Sequence, residues 1–190
     1  MLRITAGEHR GRRLRVPEVE STRPLLERAR QALMDHLRPG IPEARVWDVC
    51  AGSGILGFEA LSRGAGSVVA VERHPRAVAR LRESARELGY GERVEVLRLD
   101  ARRFLERDPP PPAPDIVFFD PPFAAFRGAG RAQSWQTFLD LAARLRPGGC
   151  AVVHLPAGEL ASSEKEKLPG LEVRAYGSSR LAWWHRPEET

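Results

Sequence analysis

The chain of 190 residues is long enough for one ordinary domain but not for two full ones. Hydrophobic residues make up 42% of the chain and charged residues 29%, which are globular values and exclude wholesale disorder. Of the net charge of +5, residues 1–17 carry +4, from five arginines and one glutamate, so the rest of the chain is almost neutral.

The first predicted element is a small basic hairpin, with strands over 2–6 and 13–16 and a turn over 7–11. The positive charge of this N-terminal arm, residues 1–17, predicts a polyanionic partner, such as nucleic acid or an anionic membrane surface. The alternative interpretation is a solvated strand in an arginine-biased proteome, which 28 arginines against two lysines also fit. Composition alone does not separate the two.

Helix and strand patterns then alternate along the chain. Helical patterns over 27–37, 75–89 and 134–145 separate short apolar runs, whose near-continuous hydrophobic character is typical of strands covered on both faces. Strand and helix in alternation predict a parallel α/β sheet, and an antiparallel hairpin over 171–176 and 180–184 closes it. The five predicted parallel strands are 46–50, 68–72, 94–97, 116–119 and 150–154.

The sequence predicts neither a disulfide framework nor a metal site, and neither a secretion signal nor a membrane span. Cys50 and Cys150 are too few for a disulfide framework, and the five histidines lack metal-ligand spacing, so we expect no metal. The chain start lacks the apolar stretch of a signal peptide, and no apolar run approaches ~18–20 residues. We therefore expect a cytoplasmic protein with no membrane contact.

A glycine-rich motif joins the first predicted parallel strand to the segment behind it. Gly52, Gly54 and Gly57 form a G-x-G-x-x-G sequence, in which glycines allow a tight turn and let a ligand approach the backbone. Glu72 follows Gly52 by 20 residues, at the end of the next strand, where a carboxylate can accept hydrogen bonds from both ribose hydroxyls of an adenosine. This pattern fits NAD and S-adenosylmethionine about equally well.

Two further acids favour S-adenosylmethionine. Asp48 precedes the glycine loop within the strand, where methyltransferases commonly place an acid near the methionine end of the cofactor. Asp100 follows the third strand and is placed to accept a hydrogen bond from the adenine amino group. The predicted cofactor-binding residues are Asp48, Ala51, Gly52, Ser53, Gly54, Glu72, Arg73, Asp100, Ala101 and Asp120.

The most specific motif is Asp120-Pro121-Pro122-Phe123, at the end of the fourth strand, and we predict these four residues as catalytic. An exocyclic amine on a base is a poor nucleophile, because its lone pair is delocalised into the ring. The Asp120 carboxylate and the Pro121 carbonyl can accept its two N–H bonds and turn the lone pair toward a methyl group, while Phe123 stacks the base. Methylation of a pyrimidine carbon would need a cysteine nucleophile in this loop, which contains none.

Three alternatives stay open at this point. The Asp-Pro-Pro-Phe tetrapeptide serves any exocyclic amine, so adenine N6 on DNA or RNA is the main one. An NAD-dependent oxidoreductase would need a catalytic tyrosine–lysine or histidine pair, and the two lysines both lie in a late polar segment. A catalytically dead RNA-binding protein would not be expected to keep the tetrapeptide and the cofactor acids intact.

With these residues the chain resembles a class I S-adenosylmethionine-dependent methyltransferase, and more narrowly the RsmD family of bacterial guanine-N2 methyltransferases acting on small-subunit ribosomal RNA. Leu25 stands where that family usually has threonine, so no site role is assigned to it. The resemblance covers nearly the whole chain. The segments that carry it are Arg3-Ile4-Thr5-Ala6-Gly7, Arg10-Gly11-Arg12-Arg13-Leu14, Val16-Pro17, Thr22-Arg23-Pro24, Glu27-Arg28-Ala29-Arg30, Gly64, the tetrapeptide and Tyr176-Gly177.

The resemblance implies a Rossmann-like α/β fold, with a seven-stranded, mostly parallel sheet, an antiparallel last strand, helices on both faces and a small N-terminal hairpin. We expect an arm over residues 1–24 and a methyltransferase domain over 25–190. The implied reaction is methyl transfer from S-adenosylmethionine to N2 of one guanine in 16S ribosomal RNA, with the small ribosomal subunit or its assembly intermediate as partner and the protein acting as a monomer. The residues expected to bind RNA are Arg3, Arg10, Arg12, Arg13, Arg15, Arg23 and Arg28.

Overall fold

The computed structural model describes residues 2–15, 25–108, 110–158 and 160–188. Across these ranges, two short N-terminal strands precede a single seven-stranded sheet. The strands are β1 Leu2–Arg3, β2 Arg13–Leu14, β3 Arg45–Val49, β4 Ser67–Val71, β5 Val94–Leu97, β6 Ile116–Phe119, β7 Cys150–Pro156, β8 Glu172–Tyr176 and β9 Ser179–His185. The helices are α1 Glu27–Leu37, α2 Ile55–Ser62, α3 Pro75–Glu87, α4 Ala101–Leu105, α5 Gly130–Ala142 and α6 Ser162–Lys165.

The sheet has the strand order β5-β4-β3-β6-β7-β9-β8. Strands β3 to β7 pair in parallel, whereas β9 is antiparallel to both β7 and β8. The predicted mostly parallel sheet with an antiparallel last strand is confirmed, and so are the basic N-terminal pair and the closing hairpin.

Both faces of the sheet are covered, which is why its central strands are apolar at nearly every position. One face packs against α1, α2 and α3, where Leu33, Phe58 and Leu81 are buried together with strand residues such as Val46. The other face packs against α4 and α5, where Phe138 and further side chains meet the second set of strand residues. The ends of the central strands are therefore held from both sides.

The helix α5 begins four residues earlier than predicted and ends three residues earlier. At its start, Ser134 anchors the first turn by donating its hydroxyl to the Ala125 carbonyl at 2.8 Å. At its end, the Arg146 backbone N–H bonds to the Pro114 carbonyl at 3.0 Å, so the chain turns away from the helix. Leu145, which the apolar pattern assigned to the helix, is buried beyond its end.

The described part of the N-terminal hairpin is built into the core through Glu59. The two carboxylate oxygens of this fully buried residue accept hydrogen bonds from the Thr5 backbone N–H and hydroxyl, from Arg30 Nε at 3.0 Å, and from Arg63. Arg30, also fully buried, donates Nη2 to the Arg3 carbonyl at 2.8 Å. This network explains why β1 is short: beyond Arg3 the chain bonds to α2 as well as to β2.

Close approach of the hairpin turn to α2 requires glycine at position 7. A Cβ atom there would lie 1.7 Å from the Ser62 carbonyl oxygen, and φ is +86°. The next backbone N–H, of Glu8, donates to that same carbonyl at 2.8 Å. The predicted boundary between arm and domain, between residues 24 and 25, borders residues 16–24, which lie outside the described residues.

Candidate active site

The strand order reverses between β3 and β6, and a cavity opens at that point. The sheet continues from β3 to β4 and β5 on one side, and from β6 to β7 on the other. Loops leaving the carboxyl ends of β3 and β6 therefore diverge, which is where open α/β sheets bind their ligands. The glycine motif follows β3 and the Asp-Pro-Pro-Phe tetrapeptide follows β6, so the two strongest sequence motifs meet here.

The cavity has a volume of about 380 Å³, within the range of about 300–1,000 Å³ that is usual for small-molecule sites. Most predicted site residues lie on its wall: Gly52, Glu72, Arg73, Asp100, Ala101, Asp120, Pro121 and Pro122. The other predicted catalytic and cofactor-binding residues lie within two positions of a wall residue but are not among the described residues that line the cavity: Asp48, Ala51, Ser53, Gly54 and Phe123.

The glycines of the motif have different tasks. A Cβ atom on Gly52, where φ is +55°, would meet nothing within 4 Å, so this part of the backbone is open to a ligand. At Gly54, where φ is +75°, a Cβ atom would lie 2.4 Å from the Leu81 side chain and 2.7 Å from Phe58. Gly52 thus gives access and Gly54 allows α2 to pack against α3.

The Glu72 carboxylate connects the ends of β3 and β4. Its Oε2 accepts a hydrogen bond from the Gly52 backbone N–H at 2.9 Å, and its Oε1 accepts one from the His74 backbone N–H at 2.8 Å. Because a carboxylate has about four acceptor positions, both oxygens can still accept bonds from ligand hydroxyls. The carboxylate is held in one orientation against the glycine loop before any ligand arrives.

Asp48 lies beneath the glycine loop rather than on the cavity wall. Its Oδ2 accepts the Gly57 backbone N–H at 3.0 Å, and a Cβ atom on Gly57 would lie 3.1 Å from that oxygen. Burial raises the pKa of Asp48 to about 8, against the effect of the Gly57 bond, and the negative charges of Asp120 and Glu72 raise it further. Asp48 is thus part of an acidic cluster that extends below the cavity.

Asp100 lies on the cavity wall and caps α4. Its Oδ1 accepts the backbone N–H groups of Arg102 and Arg103, both at 3.0 Å. Asp at a helix N-cap satisfies otherwise unpaired backbone donors, and this fixes the side chain. The second oxygen, Oδ2, is 3.8 Å from the Arg103 Nε, and the predicted contact to an adenine amino group stays a prediction.

The Pro121 carbonyl of the tetrapeptide is an unused backbone acceptor, unlike the carbonyl that follows it. The Pro122 carbonyl accepts the Ala125 N–H at 2.8 Å, at the start of the short 3-10 turn Phe123–Phe126. The Pro121 carbonyl, by contrast, accepts no hydrogen bond from any part of the chain that the structure describes. Asp120 is fixed to the sheet by its backbone N–H, which donates to the Val49 carbonyl at 3.1 Å.

The structure adds site residues that sequence reasoning missed. His154 Nδ1 is 2.7 Å from Asp120 Oδ1, and its ring packs edge-on against Phe123 with centroids 4.9 Å apart. Cys50 lines the cavity with φ at +64°, but burial, helped by Glu72 and Asp120, raises its thiol pKa far above the usual range, which disfavours a thiolate nucleophile. Helix α5 also contributes wall residues, namely Gln133, Ser134 and Thr137.

Counting strand register would have found His154. Phe119 of β6 pairs in parallel with Val153 of β7, so the next residues along, Asp120 and His154, point to the same face of the sheet. No such pattern predicts that α5 lines the cavity. The predicted start of this helix at residue 134 left Gln133 outside it.

A family model described as "Conserved hypothetical protein 95" matches residues 2–185. The chain belongs to this family. The match includes the N-terminal hairpin, the glycine motif, the tetrapeptide and the closing hairpin, and the resemblance to RsmD-type methyltransferases is confirmed.

Individual relatives and solved structures agree with this family assignment. The Ribosomal RNA small subunit methyltransferase D of Haemophilus influenzae is 39% identical over 123 residues, which are 64% of this chain and 64% of that protein. The chain thus matches less than two thirds of the length of that curated relative. A hypothetical protein of Thermus thermophilus has the same fold over 100% of both chains, at 34% identity and a TM-score of 0.78. A candidate methyltransferase of Escherichia coli matches over 99% of both chains, at 28% identity and a TM-score of 0.80.

The predicted RNA-binding arginines differ in whether another side chain already pairs with them. Arg3 forms a two-pronged ion pair with Glu27, with Nη2 to Oε1 at 2.8 Å, so its charge is already matched. Arg23 lies outside the described residues. The others are exposed, and within the described ranges their side chains have no hydrogen-bond or ion-pair partner: Arg10, Arg12, Arg13, Arg15 and Arg28. None of the described helices is long and apolar enough to span a membrane.

Proposed function

We propose that this chain is an S-adenosylmethionine-dependent methyltransferase that modifies N2 of a guanine in 16S ribosomal RNA of the small ribosomal subunit. Three findings support the proposal: the family match, the name of the Haemophilus influenzae relative, and the cavity between the glycine motif and the tetrapeptide. The guanine and its N2 atom come from the RsmD resemblance, and the chemistry of the site is compatible with them.

The residues of the cavity fit the cofactor. The open backbone at Gly52 lets an adenosine approach, and the fixed Glu72 carboxylate can accept hydrogen bonds from ribose hydroxyls. When bound, S-adenosylmethionine supplies a methyl group on a positively charged sulfur. The negative charges of Glu72 and Asp120, which help to raise the pKa of the buried Asp48, favour a cationic ligand there.

The single observation that carries the proposal is a pair of unused acceptors beside an aromatic ring. Asp120 Oδ2 and the Pro121 carbonyl accept no hydrogen bond from a described residue, and Phe123 is only half-buried next to them. Two such acceptors match the two N–H bonds of an exocyclic amine. Holding both bonds directs the nitrogen lone pair out of the ring plane, and the negative charge of Asp120 stabilises the positive charge that the amine gains.

RNA would reach the site with its target base turned out of the stack, so that the base can enter beside Phe123. The unpaired arginines of the hairpin would bind phosphates of the surrounding RNA and hold the substrate in place. A base that leaves its stack loses several stacking and pairing contacts, and phosphate contacts remote from the chemistry offset part of that loss.

The test is methyl transfer to small ribosomal subunits purified from cells that lack this modification. Labelled methyl groups from S-adenosylmethionine are followed by nucleoside analysis of the RNA, with wild type, Asp120→Ala and the exposed-surface control Asp35→Ala in parallel. We expect N2-methylguanosine from wild type and from the control, and none from Asp120→Ala. Label in N6-methyladenosine would assign the adenine alternative, and no label in any nucleoside would contradict the enzymatic proposal.

A further inference from the structure

His154 makes a contact with Asp120 that neither the sequence motifs nor the family resemblance indicates. The residue lies on β7, which pairs in parallel with β6, and the register Phe119–Val153 brings the next two side chains to the same face. The resulting distance from His154 Nδ1 to Asp120 Oδ1 is 2.7 Å. That distance is typical of a hydrogen bond to an ionised carboxylate.

The chemistry of the pair fixes where the proton lies. An ionised carboxylate only accepts, so Nδ1 of His154 carries the hydrogen and donates it to Oδ1. This bond locks rotation of the Asp120 carboxylate and occupies one of its oxygens. The other oxygen, Oδ2, has no partner among the described residues and belongs to a side chain that is 26% exposed, so it is the one available to an amine.

Burial of His154 is unfavourable by itself. The residue is 3% exposed, and its Nε2 has no hydrogen-bond partner among the described residues. A buried polar atom without a partner destabilises a protein, so an apolar residue of similar size would stabilise the core better. The histidine is therefore better explained by its contacts in the site than by packing of β7.

One of those contacts is with the aromatic ring of the tetrapeptide. The rings of His154 and Phe123 meet edge to face, with centroids 4.9 Å apart and an angle of 64° between planes. The same imidazole thus supports the Asp120 carboxylate through its nitrogen and Phe123 through its ring. A small displacement of this side chain would disturb both groups at once.

The geometry points to His154 as the residue that positions Asp120 and Phe123 together to receive a flipped base, an assignment that rests on the methyl-transfer function proposed above. His154 acts through these two side chains and is a positioning residue. It explains how one oxygen of Asp120 stays directed at the amine when the carboxylate has no arginine or lysine partner within the described residues.

The first experiment tests the hydrogen bond to Asp120 separately from the ring contact with Phe123. His154→Phe keeps an aromatic ring against Phe123 but removes the donor, whereas His154→Asn keeps an N–H donor near the position of Nδ1. We expect His154→Phe to lower kcat by about 10- to 100-fold, as a misplaced reacting group does, with the Kd for S-adenosylmethionine unchanged. His154→Asn should recover most of that loss.

The matched control is His36→Phe. His36 also packs its ring on an aromatic residue, Trp183 at 4.6 Å, and also has a buried Nε2 without a partner, but it lies away from the cavity. This control should leave kcat unchanged. Wild-type kcat in His154→Phe, or equal losses in His154→Phe and His154→Asn, would overturn the positioning role while leaving the methyl-transfer proposal intact.

The second experiment does not depend on activity. In protein labelled with ¹⁵N-histidine, two-bond proton–nitrogen NMR correlations report which ring nitrogen of His154 carries the proton. We expect hydrogen on Nδ1 in wild type and its loss from Nδ1 in Asp120→Ala. If wild type transferred no methyl group to any RNA, the methyl-transfer proposal would fail, and a wild-type His154 protonated only on Nε2 would overturn the Asp120 contact independently.

Discussion

Glu59 and Asp48 are both acids with almost no exposed surface, yet their surroundings differ in charge. Glu59 is met by two guanidinium groups, Arg30 and Arg63, and by a hydroxyl and a backbone N–H of the hairpin. Among the described residues, Asp48 accepts one backbone N–H, and its raised pKa keeps it uncharged at neutral pH, below the negative charges of Glu72 and Asp120, which have no cationic partner there. The first site has its charge balanced within the protein, and the second does not.

The difference separates a structural cluster from a binding site. A buried carboxylate whose charge is matched needs nothing more, and the Glu59 cluster ties the hairpin to the helices. Acids without a cationic partner favour a positively charged ligand, and groups with a perturbed pKa, such as Asp48, cluster at functional sites. The acids at the switch point are arranged as expected for the site of a cationic cofactor.

The largest expected effect concerns the balanced cluster. Glu59→Gln leaves the fully buried Arg30 without a negative partner, and breaking a buried ion pair in this way destabilises a protein by about 3–5 kcal/mol. We expect that loss in the free energy of unfolding from urea titration. Glu83→Gln, which breaks a partly exposed pair with Arg80, should change it by about 0–1 kcal/mol. Equal effects from the two variants would mean that the Glu59 cluster does not stabilise the hairpin.

In the unbalanced site, Asp120→Asn should affect catalysis and not stability. Asparagine keeps an acceptor for the His154 N–H but loses the charge, so we expect kcat to fall by about 10²- to 10³-fold, as when one stabilising group of an active site is removed. Unfolding by urea should stay close to wild type. A large loss of stability with normal kcat would make Asp120 a structural residue like Glu59.

The cavity could be predicted from the sequence more fully than the Glu59 cluster. The elements around the cavity follow from local patterns, since glycines, strand-end acids and the tetrapeptide all depend on residues close in the chain. In the Glu59 cluster Arg30 lies 29 positions from Glu59, and His154 lies 34 positions from Asp120. No local pattern links Arg30 to Glu59, and His154 can be linked to Asp120 only by counting the register of β6 and β7.

The hairpin provides a second prediction about unbalanced charge, here positive. Replacing Arg10, Arg12 and Arg13 by glutamine should weaken RNA binding and flatten the dependence of log K on log salt by about two to three, since each phosphate contact contributes about 0.7–0.9. Arg3, already paired with Glu27, should contribute less than any of the three. The control replaces three exposed arginines elsewhere, Arg38, Arg76 and Arg86, by glutamine. An equal salt slope in both triple variants would mean that the hairpin arginines are solvated and do not contact RNA phosphates.

Asp48 adds a pH dependence of stability that is small over any single pH unit. Its pKa is about 8 in the folded protein and near 4 when unfolded, so the folded state holds an extra proton between these values. Stability from this group is fully present below pH ~4 and is lost as pH rises toward 8, by up to about 1.4 kcal/mol per pH unit. Asp48→Asn, which preserves the acceptor for the Gly57 N–H, should remove this dependence of the unfolding free energy on pH. A dependence equal to that of wild type would mean that another group causes it.

The most direct test of the central claim, that the acid-lined cavity at the switch point binds S-adenosylmethionine, is calorimetric titration of that ligand and of NAD into wild type and Glu72→Gln. We predict one site per chain for S-adenosylmethionine, no binding of NAD, and an affinity about 10- to 100-fold lower in Glu72→Gln, because a charged acceptor for the ribose is lost. Binding of NAD by wild type, or unchanged affinity for S-adenosylmethionine in Glu72→Gln, would contradict the account.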